Sequence, residues 1–455
     1  MLTIEERKND KTIIVMNRLL KRITAIMLTM AVVCMIGCKK TDDPNNGGNN
    51  GNNGGNGGET PEAPGIVSTS EVQYEGTVYI EAIFEDGSKL YFVIVSPTEV
   101  SVVSGEFYYH NSPSIAYLYR GDVIIPENIV HLGKSYSVVA ISDKAFYGDE
   151  LVTSVYIPNS VISIKTYSEW IDSFYGFIYY GAFQGCTNLN SVRMSENIQD
   201  IGVKAFAGCP CYKDSVTITK QVKRIGAKAF DSGTVYFNAD SCIIAGGQMG
   251  SHNEHGDYFS AFPNMNTISY GDNVKVLPAY IYTNCHNWLQ IDIPLSVTMV
   301  PDKAFYMCRD LEKINGFDHV KCIGDSVFYG CDALTSIELN DSLETINESL
   351  FYLCYSLSNV EMPNSVITIE QDAFNGCNSL TEISFPSSIS QIKDRAFGGG
   401  NIDTSITCMA INPPTLGYHA FGSRNIRVIY APMSSVEAYK TADGWSEYAD
   451  VIVGI

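Results

Sequence analysis

The stretch LTSIELNDSLETINESLFYLCYSL, residues 334–357, decides how this chain folds. Its apolar marks are Leu334, Ile337, Leu339, Leu343, Ile346, Phe351, Cys354 and Leu357. Ile337 and Leu339 alternate with polar neighbours, so they point to one side of a strand. Leu343 and Ile346 form a second short apolar segment, and a helical turn is expected around Phe351. The unit recurs. Tyr282, Phe305, Phe328, Phe351, Phe374 and Phe397 follow one another at intervals of 23 residues. Phe183 and Phe206 are also 23 apart, Phe230 follows at 24, and Phe421 lies 24 beyond Phe397. Phe259 extends the series 23 residues before Tyr282, and Phe146 begins it, which makes twelve copies. One such coil cannot bury its own apolar side, so neighbours must stack and share a continuous core. A chain of 455 residues exceeds the size at which one closed core stops growing, and a stacked array escapes that limit.

The spacing L-x-x-I-x-L-x(3)-L-x-x-I-x(4)-F-x-x-C resembles the leucine-rich repeat, and segments such as YIPNSVISI, AFQGCTNLNSV and EMPNSVITIEQDAFNGCNSLTEISFP resemble its BspA-like class. The resemblance covers roughly residues 123–455, about three quarters of the chain. It implies a mainly β repeat solenoid with short helical turns. It also implies a bacterial surface protein that adheres to matrix proteins or other cells. Residues 67–122, with runs such as TVYIEAIF and KLYFVIVS around the Asp86-Gly87 turn signal, read as a small β module ahead of the repeats of 123–426. Residues 427–455 read as a C-terminal cap. In it Ser434-Ser435-Val436-Glu437 fits a capping box and Trp445 covers the last coil.

The N-terminus reads as an address. Arg18, Lys21 and Arg22 precede an apolar run from Ile23 to Ile36. That run is shorter than the roughly 20 residues that span a bilayer and fits a secretory signal. It ends in Met35-Ile36-Gly37-Cys38, which resembles a lipobox, so Cys38 is the expected site of lipidation. Residues 1–37 then form a leader, with Met16 the expected start. Residues 38–66 are an Asn/Gly-rich tether too poor in apolar side chains to fold, with a reach of roughly 25–30 Å. Asp42 and Asp43 resemble an acidic export signal. The expected location is the outer membrane, lipid-anchored and facing outward.

The formal charge is −20; residues 1–37 contribute +3, leaving −23 from residue 38 onward. A polyanion repels phosphate backbones, which argues against nucleic acid as a partner. No nucleophile elbow, phosphate loop or zinc-protease motif occurs, so no catalysis and no cofactor are expected.

Two insertions interrupt the array. The interval from Phe146 to Phe183 is 37 residues and contains YSEWIDSFYGFIYY. Insertions in a solenoid map to loops on one face, often the binding face, and Tyr and Trp are usual interface hot spots. Trp170, Phe174, Tyr175, Tyr179 and Tyr180, with Tyr167 and Phe177, are the candidate ligand-binding residues. The competing reading is a loop that buries its own rings. The interval from Phe230 to Phe259 is 29 residues. It holds His252, His255 and Asp257, which read as a solvated loop; no metal site is expected there.

Cys186, Cys209, Cys285, Cys308, Cys331, Cys354 and Cys377 each lie three residues after the repeat aromatic. Their side chains run parallel, so they read as a column of packed thiols and not as disulfides or metal ligands. The outward strand positions form one exposed row: Tyr156, Arg193, Thr217, Ser269, Asp292, Asn315, Glu338, Glu361 and Ser384. At about 4.8 Å per coil, twelve coils give a face roughly 60 Å long. The expected partner is a host extracellular protein or another cell-surface ligand, with a glycan as the alternative. A purely structural envelope role is the third reading.

Overall fold

The computed structural model describes residues 64–105, 119–172, 176–245, 260–399 and 402–455, and of 167–172, 176–178 and 245 the backbone. Each coil contributes two short strands and one tight turn. The first strands form parallel sheets along one face, for example Ser336–Glu338 beside Asn359–Glu361, and Glu382–Phe385, Asp403–Cys408, Asn425–Ala431 and Ile452–Gly454 in succession. The second strands form another parallel face, with Thr345↔Thr368↔Gln391↔Thr415 in register. The alternation in Ser336-Ile337-Glu338 turns Ile337 inward, where it is 4% exposed, and leaves its neighbours in solvent. This is a β-rich repeat solenoid with little helix.

The turns hold the third side. The N–H of a repeat aromatic donates to the carbonyl just before the next one, as in Phe351 N to Ala373 O at 2.7 Å and Phe374 N to Ala396 O at 2.7 Å; at Phe262 the Ser260 hydroxyl stands between, accepting the Phe262 N–H at 3.1 Å and donating to Ile281 O. The rings therefore stack at the coil spacing. Phe305, Phe328, Phe351, Phe374 and Phe397 lie 4.9–5.5 Å apart, centroid to centroid, with planes within 18°. All are fully buried.

This ladder corrects the aromatic series at one point. Phe259 lies outside the described residues, but the ring that stacks on Phe230, at 5.7 Å and 11°, is Phe262. Phe230 N donates to Ala261 O, so Ala261-Phe262 occupies the place that Ala229-Phe230 holds one coil earlier. The 23-residue interval back from Tyr282 pointed to the wrong ring, because this coil runs 20 residues and the preceding one 32. The buried ring must follow the residue whose carbonyl takes the neighbour's N–H, and that requirement outranks even spacing.

Before the repeats, β1 (Ile66–Tyr74), β2 (Thr77–Phe84), β3 (Lys89–Ser96) and β4 (Glu99–Val103) pair antiparallel in order. β4 then pairs parallel with Lys134–Ile141, the second face of the first coil. These strands and that face thus make one continuous sheet, and the first coil has no open edge there. At the other end Trp445 is fully buried, 5.8 Å from the Phe421 ring, and its indole N–H donates to Pro414 O at 2.8 Å. Ser434–Glu437 is not a capping box. The helix Val436–Thr441 has Ser435 as N-cap, with αR backbone and no side-chain cap bond. A 3-10 turn, Met433–Ser435, feeds directly into it, and the Ser435 N–H is taken by Pro432 O.

The thiol column is built from the backbone. Sγ of Cys331, Cys354 and Cys377 donates to the carbonyl of the aromatic one coil earlier, Phe305, Phe328 and Phe351, at 3.2, 3.1 and 3.1 Å. All eleven cysteines of the described residues are free; nine are buried, Cys211 is half-buried and Cys322 is exposed. Burial pushes the Cys285 and Cys377 thiols up to about 12. In the folded protein at pH 8, a thiol reagent such as DTNB is expected to modify Cys322 quickly, Cys211 slowly and the buried nine only after unfolding. Rapid reaction of more than two of these thiols in the native state would contradict the packing.

Candidate functional site

The outward row of the first strands is in register within five successive parallel ladders. It runs Ile124, Tyr156 and Arg193, then Thr217, Tyr236 and Ser269, then Asp292 and Asn315, then Glu338 and Glu361, then Ser384, Thr407, Tyr430 and Val453. Every residue read from the sequence lies on it. Five more join them: Ile124, Tyr236, Thr407, Tyr430 and Val453. Tyr236 is 46% exposed. It was missed because the strand Thr234–Phe237 follows Phe230 by fewer residues than in the regular unit. The row is aromatic and basic at one end, where the Arg193 guanidinium lies 5.2 Å from the Tyr156 ring centre. Toward the middle it is acidic, and Glu338 stands directly beside Glu361. Like charges so placed cost stability unless something cationic faces them.

The first insertion forms an antiparallel hairpin, Thr166–Asp172 with Gly176–Gly181. Its backbone register pairs Tyr167 with Tyr180 and Trp170 with Phe177. Tyr179 and Tyr180 are half-buried. The Tyr180 ring meets Tyr147 edge-on at 5.6 Å, and the Lys144 ammonium lies 3.9 Å from its centre. Trp170 is in the first strand of the hairpin; Phe174 and Tyr175 lie outside the described residues, as do Cys38, His252, His255 and Asp257. Among the described residues no group of His, Cys, Asp and Glu is placed to hold a metal ion.

Sequence reading also missed a second aromatic file. Tyr306, Tyr329 and Tyr352 each follow the repeat aromatic by one residue and stack at 4.8 and 4.7 Å. Burial, with the neighbouring Tyr306 and Tyr352, pushes the Tyr329 phenol up to about 12. The signal was present in three consecutive units, each with Tyr after Phe.

A family model described as a BspA type leucine rich repeat region matches residues 126–169, 170–236, 255–318 and 298–427, more than half of the chain. Among solved structures the chain is similar to a leucine-rich repeat protein from Bacteroides ovatus ATCC 8483, at 21% identity over 80% of this chain and 98% of that one, TM-score 0.46. It is similar to another from Eubacterium ventriosum ATCC 27560, at 17% identity over 78% and 95%, TM-score 0.44. It is also similar to the pneumococcal vaccine antigen PcpA, at 15% identity over 85% and 97%, TM-score 0.41. No curated protein matches it. With its repeat geometry and the extent of the model match, the chain belongs to the BspA-type leucine-rich repeat family.

Proposed function

We propose that this protein is a non-catalytic adhesin, a lipid-anchored scaffold that binds a protein outside the cell. The carrying observation is the outward row. Inward positions repeat apolar residues coil after coil, while the outward ones change chemistry from Tyr156 and Arg193 to Glu338 and Glu361 along successive strands. Large surfaces of that kind suit protein partners, with aromatic and Arg anchors supplying most of the affinity. The test is binding of the purified protein to immobilised matrix proteins. Replacing Tyr156 and Tyr236 by Ala is expected to weaken capture about tenfold or more, since two interface anchors are worth a few kcal/mol. Failure to bind any protein ligand overturns the reading.

The anchor has its own test. Acyl transfer at Cys38 needs a thiolate, and a serine hydroxyl is a far weaker nucleophile at neutral pH. No helix among the described residues is long and apolar enough to cross a membrane. Cys38→Ser is expected to move the protein from the membrane fraction to the soluble one, and wild type is expected to be cleaved by protease added to intact cells. Cys38→Ser retained in membranes at the wild-type level would sink the lipoprotein reading. Wild type that resists shaving would sink surface display.

A second reading, a glycan-binding accessory for nutrient capture, is favoured by the aromatic hairpin and the ring of Tyr180. Trp170→Ala with Tyr175→Ala is expected to abolish retention on a polysaccharide affinity gel. Unchanged retention removes the hairpin from that reading.

A further inference from the structure

The outward face has an open edge at its first strand. β5 (Gly121–Ile124) is the outer member of the parallel ladder that continues through Val152–Tyr156 and Ser191–Arg193. The Gly121 N–H donates to Leu151 O at 2.9 Å and the Ile125 N–H to Tyr156 O at 3.1 Å. The one irregularity of this pairing lies in the partner strand, where Thr153 falls between the residues opposite Gly121 and Asp122. Backbone groups of successive strand residues point to opposite edges, so those of Asp122 and Ile124 face away from the ladder. Among the described residues nothing pairs with these two N–H and two C=O groups. A row of unpaired strand groups is a template for a further strand.

A cavity of about 320 Å³ borders this edge, lined by Asp122, Val123 and Ile124 and by the turn that joins β2 to β3. Phe84, Leu90, Tyr91, Tyr119 and Val123 give it a buried, largely apolar lining. Its size is at the lower limit of ligand pockets, so it takes a few residues of extended chain and not a folded domain. Most charges around it are already held. The Asp86 carboxylate accepts the Ser88 N–H and hydroxyl at 2.8 and 2.6 Å. The Lys89 ammonium lies 2.9 Å from Glu81, and Asp122 accepts the hydroxyls of Thr153 and Ser154. Next to the lining, the Glu85 carboxylate lies against Gly65, and Asp149 takes the N–H groups of Tyr119 and Leu151. Arg120 differs. It lines the same cavity, is exposed and has no hydrogen bond or ion pair among the described residues.

We infer that β5 is the docking edge for an extended, acidic segment of the protein partner, laid beside it as a further strand with an apolar side chain in the cavity and a carboxylate for Arg120. This rests on the protein-binding reading above and names the local structure and charge of the partner. Two outward N–H and two outward C=O groups are matched by the alternating groups of an extended backbone, and the cavity supplies the side-chain selectivity that strand addition needs. The acids of the lining are bonded within the chain, and the unpartnered charge is cationic, which favours a carboxylate. Ile124 also begins the outward row, so a strand docked here adjoins the face that carries Tyr156 and Arg193.

The test uses the full purified chain. Phage-displayed random octapeptides are selected on it, and the selected peptides are titrated free, by calorimetry, against wild type, Arg120→Gln and Ile124→Pro. Arg120 is exposed, so its replacement spares the fold. Proline at 124 removes one outward N–H, which an edge strand tolerates, and circular dichroism checks that this variant folds. The expected result is peptides with Asp or Glu beside an apolar residue, bound about tenfold or more weaker by each variant. Hydrogen exchange of the Asp122 and Ile124 amides should slow when wild type is saturated with such a peptide. Slow exchange of both amides in the free chain would show the edge already filled and overturns the inference. So does failure to select any peptide, or binding indifferent to either variant. Self-association of wild type in sedimentation, lost in Ile124→Pro, assigns the edge to a second copy and overturns it as well. Capture of matrix proteins that needs Tyr156 and Tyr236 but not Arg120 leaves the protein-binding reading standing and removes this edge from it.

Discussion

The protein is expected to unfold cooperatively near pH 10, well below the pH at which backbone or arginine chemistry intervenes. Nine of its cysteines are buried. Burial raises those thiols: Cys242, Cys285 and Cys377 to about 12, and Cys308 and Cys354 well above their ordinary value. In the unfolded chain the same thiols ionise near 8.5. A group whose folded pKa is raised contributes its stability below the unfolded pKa and loses it as pH rises toward the folded one. Each thiol therefore withdraws about 1.4 kcal/mol per pH unit above roughly 8.5 to 9. Nine of them together remove on the order of 10 kcal/mol by pH 10, as much as the whole stability of a typical domain. The check is an alkaline titration followed by circular dichroism. Replacing Cys308, Cys331, Cys354 and Cys377 together by Ala should raise the midpoint, because alanine fills most of the thiol's space and cannot ionise. An unchanged midpoint in that variant would falsify the thiol account.

Arg424→Ala is expected to cost about 2–4 kcal/mol, because hydrogen bonds to a charged group contribute roughly 1.5–3 kcal/mol and buried acceptors left without a donor add to the loss. Arg424 stands three residues after Phe421, where other coils carry the thiol, and is 6% exposed. Its Nε donates to Phe397 O at 2.7 Å, the carbonyl that a cysteine would have taken. Its terminal nitrogens continue to Leu380 O and Cys377 O, at 2.7 Å each, and to Thr404 Oγ1 at 3.3 Å. In the sequence the previous coil carries Gly400 at this position. The arginine crosses that coil and satisfies carbonyls of the one before it. Alanine would strand those buried acceptors. Lysine should rescue little, since one ammonium cannot reproduce the guanidinium fork. Because the contacts of a coil reach no further than the next one or two coils, the loss should be local. Hydrogen exchange is expected to accelerate from Glu382 onward while the coils of Phe183 and Phe206 keep their protection. A stability loss under about 1 kcal/mol would show that the network contributes nothing net.

At the other end of the column the same position is Asp149, also buried. Its carboxylate accepts the N–H of Tyr119 at 3.2 Å and of Leu151 at 3.0 Å. An acid faces N–H donors at the first coil and a base faces carbonyls at the last. Both residues were visible in the sequence as interruptions of the thiol column. Nothing in their spacing told what they were for, because, Leu151 apart, their partners lie 20 to 47 residues away.

The periodic part of this protein was determined by its sequence alone. A 23-residue apolar period admits a stacked coil and little else, since one unit has too few apolar residues to close a core by itself. The inward strand positions, the ring ladder and the parallel thiols follow from that period together with strand alternation. Tertiary structure decided whatever breaks the period. Phe262 takes the ladder position because Ala261 O, just before it, accepts the Phe230 N–H, and the Ser435 N–H that a capping-box side chain would take is already held by Pro432 O. Arg424 finds its acceptors Phe397 O, Leu380 O and Cys377 O only once the coils are stacked. The hairpin is of the same kind: Tyr147 and Tyr180 are 33 residues apart in sequence, yet their rings meet. They do so because coils of unequal length still stack at one strand spacing, and the insertion leaves the solenoid without disturbing the register of Ser163–Ile164 with Asp200–Ile201 on either side.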